Sequence, residues 1–138
     1  MLNKLSLWRT ALLLPALLAA CAPAASTAPR VFFTSPADGA SVAGPVHVTL
    51  GAENFTVEAA GEAKPGAGHL HIMVDTACVA AGSIIPKDAT HVHYGQGQVE
   101  ADLELAPGAH TLCLQAADGL HTALAGDGLT QTIAITVK

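Results

Sequence analysis

Three features of this 138-residue sequence predict an all-β domain built as an antiparallel β-sandwich. Apolar residues recur at every second position in several short runs. Turn residues punctuate those runs at short intervals: Pro36-Ala37-Asp38-Gly39, Gly44-Pro45, Lys64-Pro65-Gly66, Gly95-Gln96-Gly97, Pro107-Gly108, Asp118-Gly119 and Gly126-Asp127-Gly128. No window after the first twenty residues carries a helical stripe.

Taken from the N-terminus, residues 1–20 form a secretory signal. Lys4 and Arg9 supply the positive start, and Thr10 to Ala20 supplies an apolar run too short to cross a membrane comfortably. The run closes on Leu18-Ala19-Ala20-Cys21, which resembles a bacterial lipobox. The resemblance implies cleavage before Cys21 and lipidation of its thiol. Ala22 then follows where an aspartate would mark inner-membrane retention, so the expected address is the outer membrane, facing the periplasm. Residues 21–30 read as a Pro/Ala/Ser/Thr tether and 31–138 as the sandwich domain.

Within that domain Val46, Val48 and Leu50 share one face of a strand, as do Leu70, Ile72 and Val74. Val99, Leu103 and Leu105 nearly alternate, with room for a bulge. Leu112 and Leu114 alternate with Thr111, Cys113 and Gln115, and Ile133, Ile135 and Val137 close the chain. Phe32, Phe33 and Phe55 complete the expected core.

Composition excludes several classes of function. The chain is 51% hydrophobic and 12% charged, which is not the composition of a disordered chain. Six Lys+Arg against eleven Asp+Glu leave no basic footprint for nucleic acid. Removing residues 1–20 takes away Lys4 and Arg9 and no acid, moving the balance from −5 to −7. Such a surface repels anionic headgroups and favours cationic ligands, so attachment to a membrane falls to the lipid. No P-loop, dinucleotide fingerprint or nucleophile elbow is present. Asp75, Asp88 and Asp118 sit in turn-like contexts, and the chain is expected not to be an enzyme.

The chemical signal lies in the seven histidines. His69-Leu70-His71 and His91-Val92-His93 are His-x-His pairs. On a strand, residues i and i+2 face the same side about 6.6 Å apart, so both imidazoles reach one ion at ~2.0–2.1 Å. Alternation puts His69, His71, Met73 and Asp75 opposite Leu70, Ile72 and Val74, a donor set suited to copper or zinc. His110 opens a strand and His121 follows a turn, so both are candidate completing donors. His47 alternates with valines and is expected to face solvent, and Met73 alone reads as packing. Strand ends gather at the rims of a sandwich, so six histidines could converge at one end of the domain, although the sequence does not place them there. Three readings follow: a transition-metal binder, copper before zinc, for storage, delivery or buffering; a structural or partner-binding module whose imidazoles form a hydrogen-bond network; and a metal-dependent enzyme.

Cys78 and Cys113 remain once Cys21 is assigned to lipid. In an oxidising envelope they are expected to pair, for roughly 4 kcal/mol of loop-closure stabilisation. Gly68-His69-Leu70-His71 is similar to the copper-side strand of copper/zinc superoxide dismutase, but the other motifs of that family are absent. Cys113 and His121 lack the following methionine of a cupredoxin loop.

A longer resemblance runs from Gly68 to the C-terminus. It rests on Gly68-His69-Leu70-His71 with Asp75, Ile85-Pro86-Lys87-Asp88, and His91-Val92-His93-Tyr94-Gly95-Gln96-Gly97-Gln98. It continues through Leu105-Ala106-Pro107-Gly108-Ala109-His110-Thr111-Leu112, Asp118-Gly119-Leu120-His121 and Ile133-Ala134-Ile135-Thr136-Val137. On these the chain resembles an exported bacterial family known as domain of unknown function 4399. Ser35-Pro36-Ala37-Asp38-Gly39-Ala40, followed by Pro45-Val46, resembles the opening of Ig-like envelope domains. The resemblances imply an Ig-like (Greek-key) sandwich with a histidine-rich rim, and no activity. Cys78 and Cys113 look like departures from the family pattern, which favours a local bridge over a shared ligand role.

Overall fold

A computed structural model describes residues 27–138, so the signal segment, Cys21 and most of the tether lie outside the described residues. The described chain contains strands and no helix. In order they are β1 (Arg30–Ser35), β2 (Ser41–Val42), β3 (Val46–Glu53), β4 (Thr56–Val57), β5 (Ala67–Val74), β6 (His91–Tyr94), β7 (Glu100–Leu103), β8 (Gly108–Ala117) and β9 (Thr130–Val137).

Two sheets enclose one core. The smaller runs β1-β3-β7, and the larger runs β2-β9-β8-β5-β4 with β6 also on β5. Val46, Val48 and Leu50 face Leu70, Ile72, Leu112, Leu114, Ile133 and Ile135 across that core. Period-two alternation makes this possible, because each strand sends every second side chain inward. The long pairs are antiparallel, as expected. Two short pairs are parallel: β2 on β9 and β4 on β5. These are two-residue strands that cover edge hydrogen-bonding groups, too brief to leave an alternating pattern in the sequence.

Other details also depart from the sequence reading. β7 pairs with β3 in continuous register and directs Ala101 and Leu103 inward; Val99 precedes the strand and is exposed. The register shift falls in β1 instead, between Phe33 and Ser35. Val31 and Phe55 are core residues, and Phe33 packs at the margin of the core. Phe32 turns outward, where its ring lies across Gly51 and under the Arg30 guanidinium, 4.5 Å from the ring centre. A side chain at Gly51 would occupy the space of that ring.

The feature that positions the site is a second buried layer. β5 is buried on both faces, and so is the C-terminal half of β8. On the outer face of the large sheet, Met73, Cys113 and Ala117 pack with Ile85, Ala123, Cys78 and Val79. Those last residues belong to two connections, 75–90 and 118–129, which fold over the sheet. Cys78 and Cys113 form a disulfide with 5.6 Å between Cα atoms, fixing the first connection to β8. Gln115 fixes it again: its amide accepts from Val79 N–H (2.9 Å) and donates to Val79 C=O (2.8 Å).

Candidate metal centre

The same outer face carries the imidazoles. In β5, His69 and His71 project away from the core set Leu70 and Ile72, as alternation requires. β6 lies antiparallel beside β5 with His93 directly opposite His71. This places the third imidazole next to the first two.

His121 arrives from a turn. The Asp118 carboxylate accepts from Leu120 N–H (2.8 Å) and Thr122 N–H (2.9 Å), winding residues 118–122 tightly. His121 takes φ +70° there, a left-handed conformation that costs a β-carbon-bearing residue roughly 1–2 kcal/mol. The turn is held against both neighbours. Ile85 N–H donates to His121 C=O, Ala60 N–H to Gly95 C=O and Gly61 N–H to Gly119 C=O. One short loop thus ties the strand end after His93 to the turn before His121.

The four rings form one cluster. Their centres lie 4.6 to 5.0 Å apart, except for His71 and His121 at 5.9 Å. His71 Nε2 is 3.0 Å from His69 Nε2, and His121 Nε2 is 3.1 Å from His93 Nε2. Two imidazoles binding one ion at ~2.0–2.1 Å with an angle of ~90–110° hold their nitrogens about 2.9–3.4 Å apart. One ligand atom from each of His69, His71 and His93 falls within 4.8 Å of the others, so these three can hold a metal ion. His121 stands beside His93, outside that group of three.

The surroundings favour the neutral form of His69, His71 and His93. His69 and His71 are fully buried. Burial, then the neighbouring histidines, pushes the His69 pKa down to about 4 and that of His71 to about 3. His93 is lowered by burial and then by His121. Neutral imidazole is the ligating form, so the lone pairs stay available at neutral pH without proton release. The Nδ1 atoms of His69 and His71 are buried without a hydrogen-bond partner.

Gly95 makes room for His93. A β-carbon there would overlap the His93 ring. His93 folds back over the glycine to reach the cluster.

The remaining histidines sit elsewhere. His91 lies on the same outer face opposite Met73, with Nδ1 2.9 Å from Asp88 Oδ1. That contact and those from Thr90 hold the Asp88 carboxyl well below the usual range. His110 opens β8 away from the cluster. Its Nε2 faces the Ala106 carbonyl at 2.8 Å and its Nδ1 faces Asp75 at 2.7 Å, so both nitrogens are donors and the pKa is raised. An imidazole with both nitrogens protonated has no lone pair for a metal. Asp75 is likewise committed, to Thr111 N–H and then His110, and is not at the cluster. His47 is exposed and bonds Asp102 at 2.8 Å. Convergence therefore occurs on a covered sheet face and joins four of the six candidate donors. Each of the other two is held by a carboxylate.

Residues 48–138 match the family described as a domain of unknown function, DUF4399. The chain belongs to this family. All four clustered histidines fall inside the matched region. No curated relative and no solved structure matches the chain.

Proposed function

We propose that this chain is an envelope lipoprotein that binds one transition-metal ion, copper ahead of zinc, through His69, His71 and His93 with His121 as the fourth donor. The observation that carries this reading is the meeting of neutral imidazole nitrogens from two adjacent strands within 4.8 Å. An all-imidazole set suits copper and zinc and offers little to magnesium or calcium, which take oxygen donors. A site built from two strands and a braced turn suits an ion that is stored, buffered or handed on. Lipidation of Cys21 and a place at the outer membrane, facing the periplasm, follow from the sequence ending of the signal and belong to the same proposal.

A second reading has its own support. The two close Nε2 pairs also satisfy N–H···N hydrogen bonds, as they would in a structural network. Isothermal calorimetry with Cu(II), Cu(I) and Zn(II) separates the two. Metal binding predicts one ion per chain, with affinity lost in His69→Ala and His71→Ala. A network predicts that these substitutions lower the melting temperature and that ion affinity stays weaker than about millimolar, near −4 kcal/mol.

A further inference from the structure

The imidazole cluster borders an opening to solvent. His93 lines a surface pocket of ≈ 340 Å³ together with Lys87, Gly95, Gln96 and Gln98. Besides the imidazole, the polar side chains of this lining are an ammonium and two carboxamides, and no carboxylate is among them. Gln98 Oε1 already accepts from Gln96 N–H at 2.8 Å, which leaves its NH₂ group to donate.

Cations are scarce in this molecule. The described residues hold four cations against eleven acids. Arg30 pairs with Glu53 and Lys64 with Glu58, whereas Lys87, like Lys138, makes no ion pair among the described residues. Asp88 beside it is occupied by the Thr90 and His91 donors. An unpaired ammonium therefore shares a pocket with His93 in a strongly acidic domain.

The charge of a bound ion explains what such a pocket would take. Neutral imidazoles bring no negative charge, so a divalent ion among them keeps its own. His69 and His71 are fully buried, and an uncompensated charge there is costly. Asp118 bonds the backbone of its own turn and reaches the cluster only as a charge that acts on His69. An anion in the open pocket beside His93 adds compensation on the other side of the cluster.

We infer that this pocket binds a small anion, a carboxylate in the physiological case, which ligates the ion beside His93 while Lys87 and the Gln96 and Gln98 amides hold its outer atoms. The inference rests on the metal-binding reading of the cluster. It adds an exchangeable ligand through which an ion can enter and leave.

The test loads the purified full chain with Cu(II), measures uptake by calorimetry, and then titrates azide while following the azide-to-copper charge-transfer absorption. Azide is expected to bind with one anion per copper, and acetate to displace it. Lys87→Ala is expected to weaken azide binding about tenfold and Lys87→Arg to restore most of it. Copper uptake with equal azide affinity in the parent and Lys87→Ala proteins overturns the pocket assignment alone. So does acetate that fails to compete. Absence of copper uptake overturns both this inference and the reading beneath it.

Discussion

Leu70 and Ile72 point from β5 into the sandwich core, His69 and His71 point the opposite way, and all four are fully buried. The inner pair meets apolar side chains from β3, β8 and β9. The outer pair meets the imidazoles of His93 and His121, the latter from the 118–129 connection that folds over the sheet. Equal burial thus has two different causes. On the inner face it removes hydrocarbon from water and stabilises the fold. On the outer face it removes imidazole from water, which opposes folding unless something uses those nitrogens. A sheet face that is costly to cover, yet is covered by a disulfide, a paired glutamine and a left-handed turn, is organised for its chemistry.

The comparison is broken most forcefully from the inner side. Leu70→Ala is expected to lower unfolding free energy by about 2–5 kcal/mol in chemical denaturation, since it opens a cavity in a packed core. On the outer side, the His69→Leu/His71→Leu double variant is expected to change apoprotein stability far less at neutral pH, because replacing both partners of a buried polar pair by apolar groups of similar shape can be close to neutral. A loss in the double variant as large as that at Leu70 would make the outer face a second core.

Acid sharpens the contrast. His69 and His71 have folded pKa values of about 4 and 3, below the unfolded value of 6.5. The unfolded chain binds more protons in that interval, so their contribution is complete above pH 6.5 and is lost as pH falls. Apoprotein stability should drop by on the order of 3–6 kcal/mol between pH 7 and pH 4. A His69→Leu/His71→Leu double variant should show a flatter profile by thermal melting. Equal slopes would show that these rings do not stay neutral in the fold.

A smaller effect tests the geometry without deleting a ligand. Gly95→Ala must push the His93 ring aside. Ion affinity is expected to fall roughly 10–100-fold, as for disturbed metal surroundings, with the melting temperature of the apoprotein little changed. Unchanged affinity would remove His93 from the donor set. The smallest effect belongs to the inner face. The Tyr94 hydroxyl is buried there without a partner, and burial pushes its pKa up to about 12. Tyr94→Phe should stabilise the protein by about 1 kcal/mol.

The inner face was the legible one. Alternation at Val46, Val48 and Leu50, at Leu70 and Ile72, and at Ile133, Ile135 and Val137 translates directly into core positions. The His-x-His spacing marked a shared face for His69 and His71, and likewise for His91 and His93. Local spacing does not say which strand lies beside which. The β5–β6 register opposes His71 to His93 and His91 to Met73, and that register is a property of the whole sheet. Nor does it say that residues 75–90 and 118–129 cover the sheet. For that reason the cluster forms on a face and not at a rim. His110 went astray for a related reason: the Ala106 carbonyl and Asp75 meet it only once β8 is placed. Gly95 was visible as a turn glycine, yet its use is the space it leaves for His93.

X-ray absorption at the copper edge of the Cu-loaded protein tests the central claim most directly. The account predicts a shell of three or four nitrogens at about 2.0 Å, with the outer-shell scattering of imidazole rings that weakens in His69→Ala and His71→Ala. A copper shell without imidazole scattering, or one indifferent to those substitutions, would contradict it.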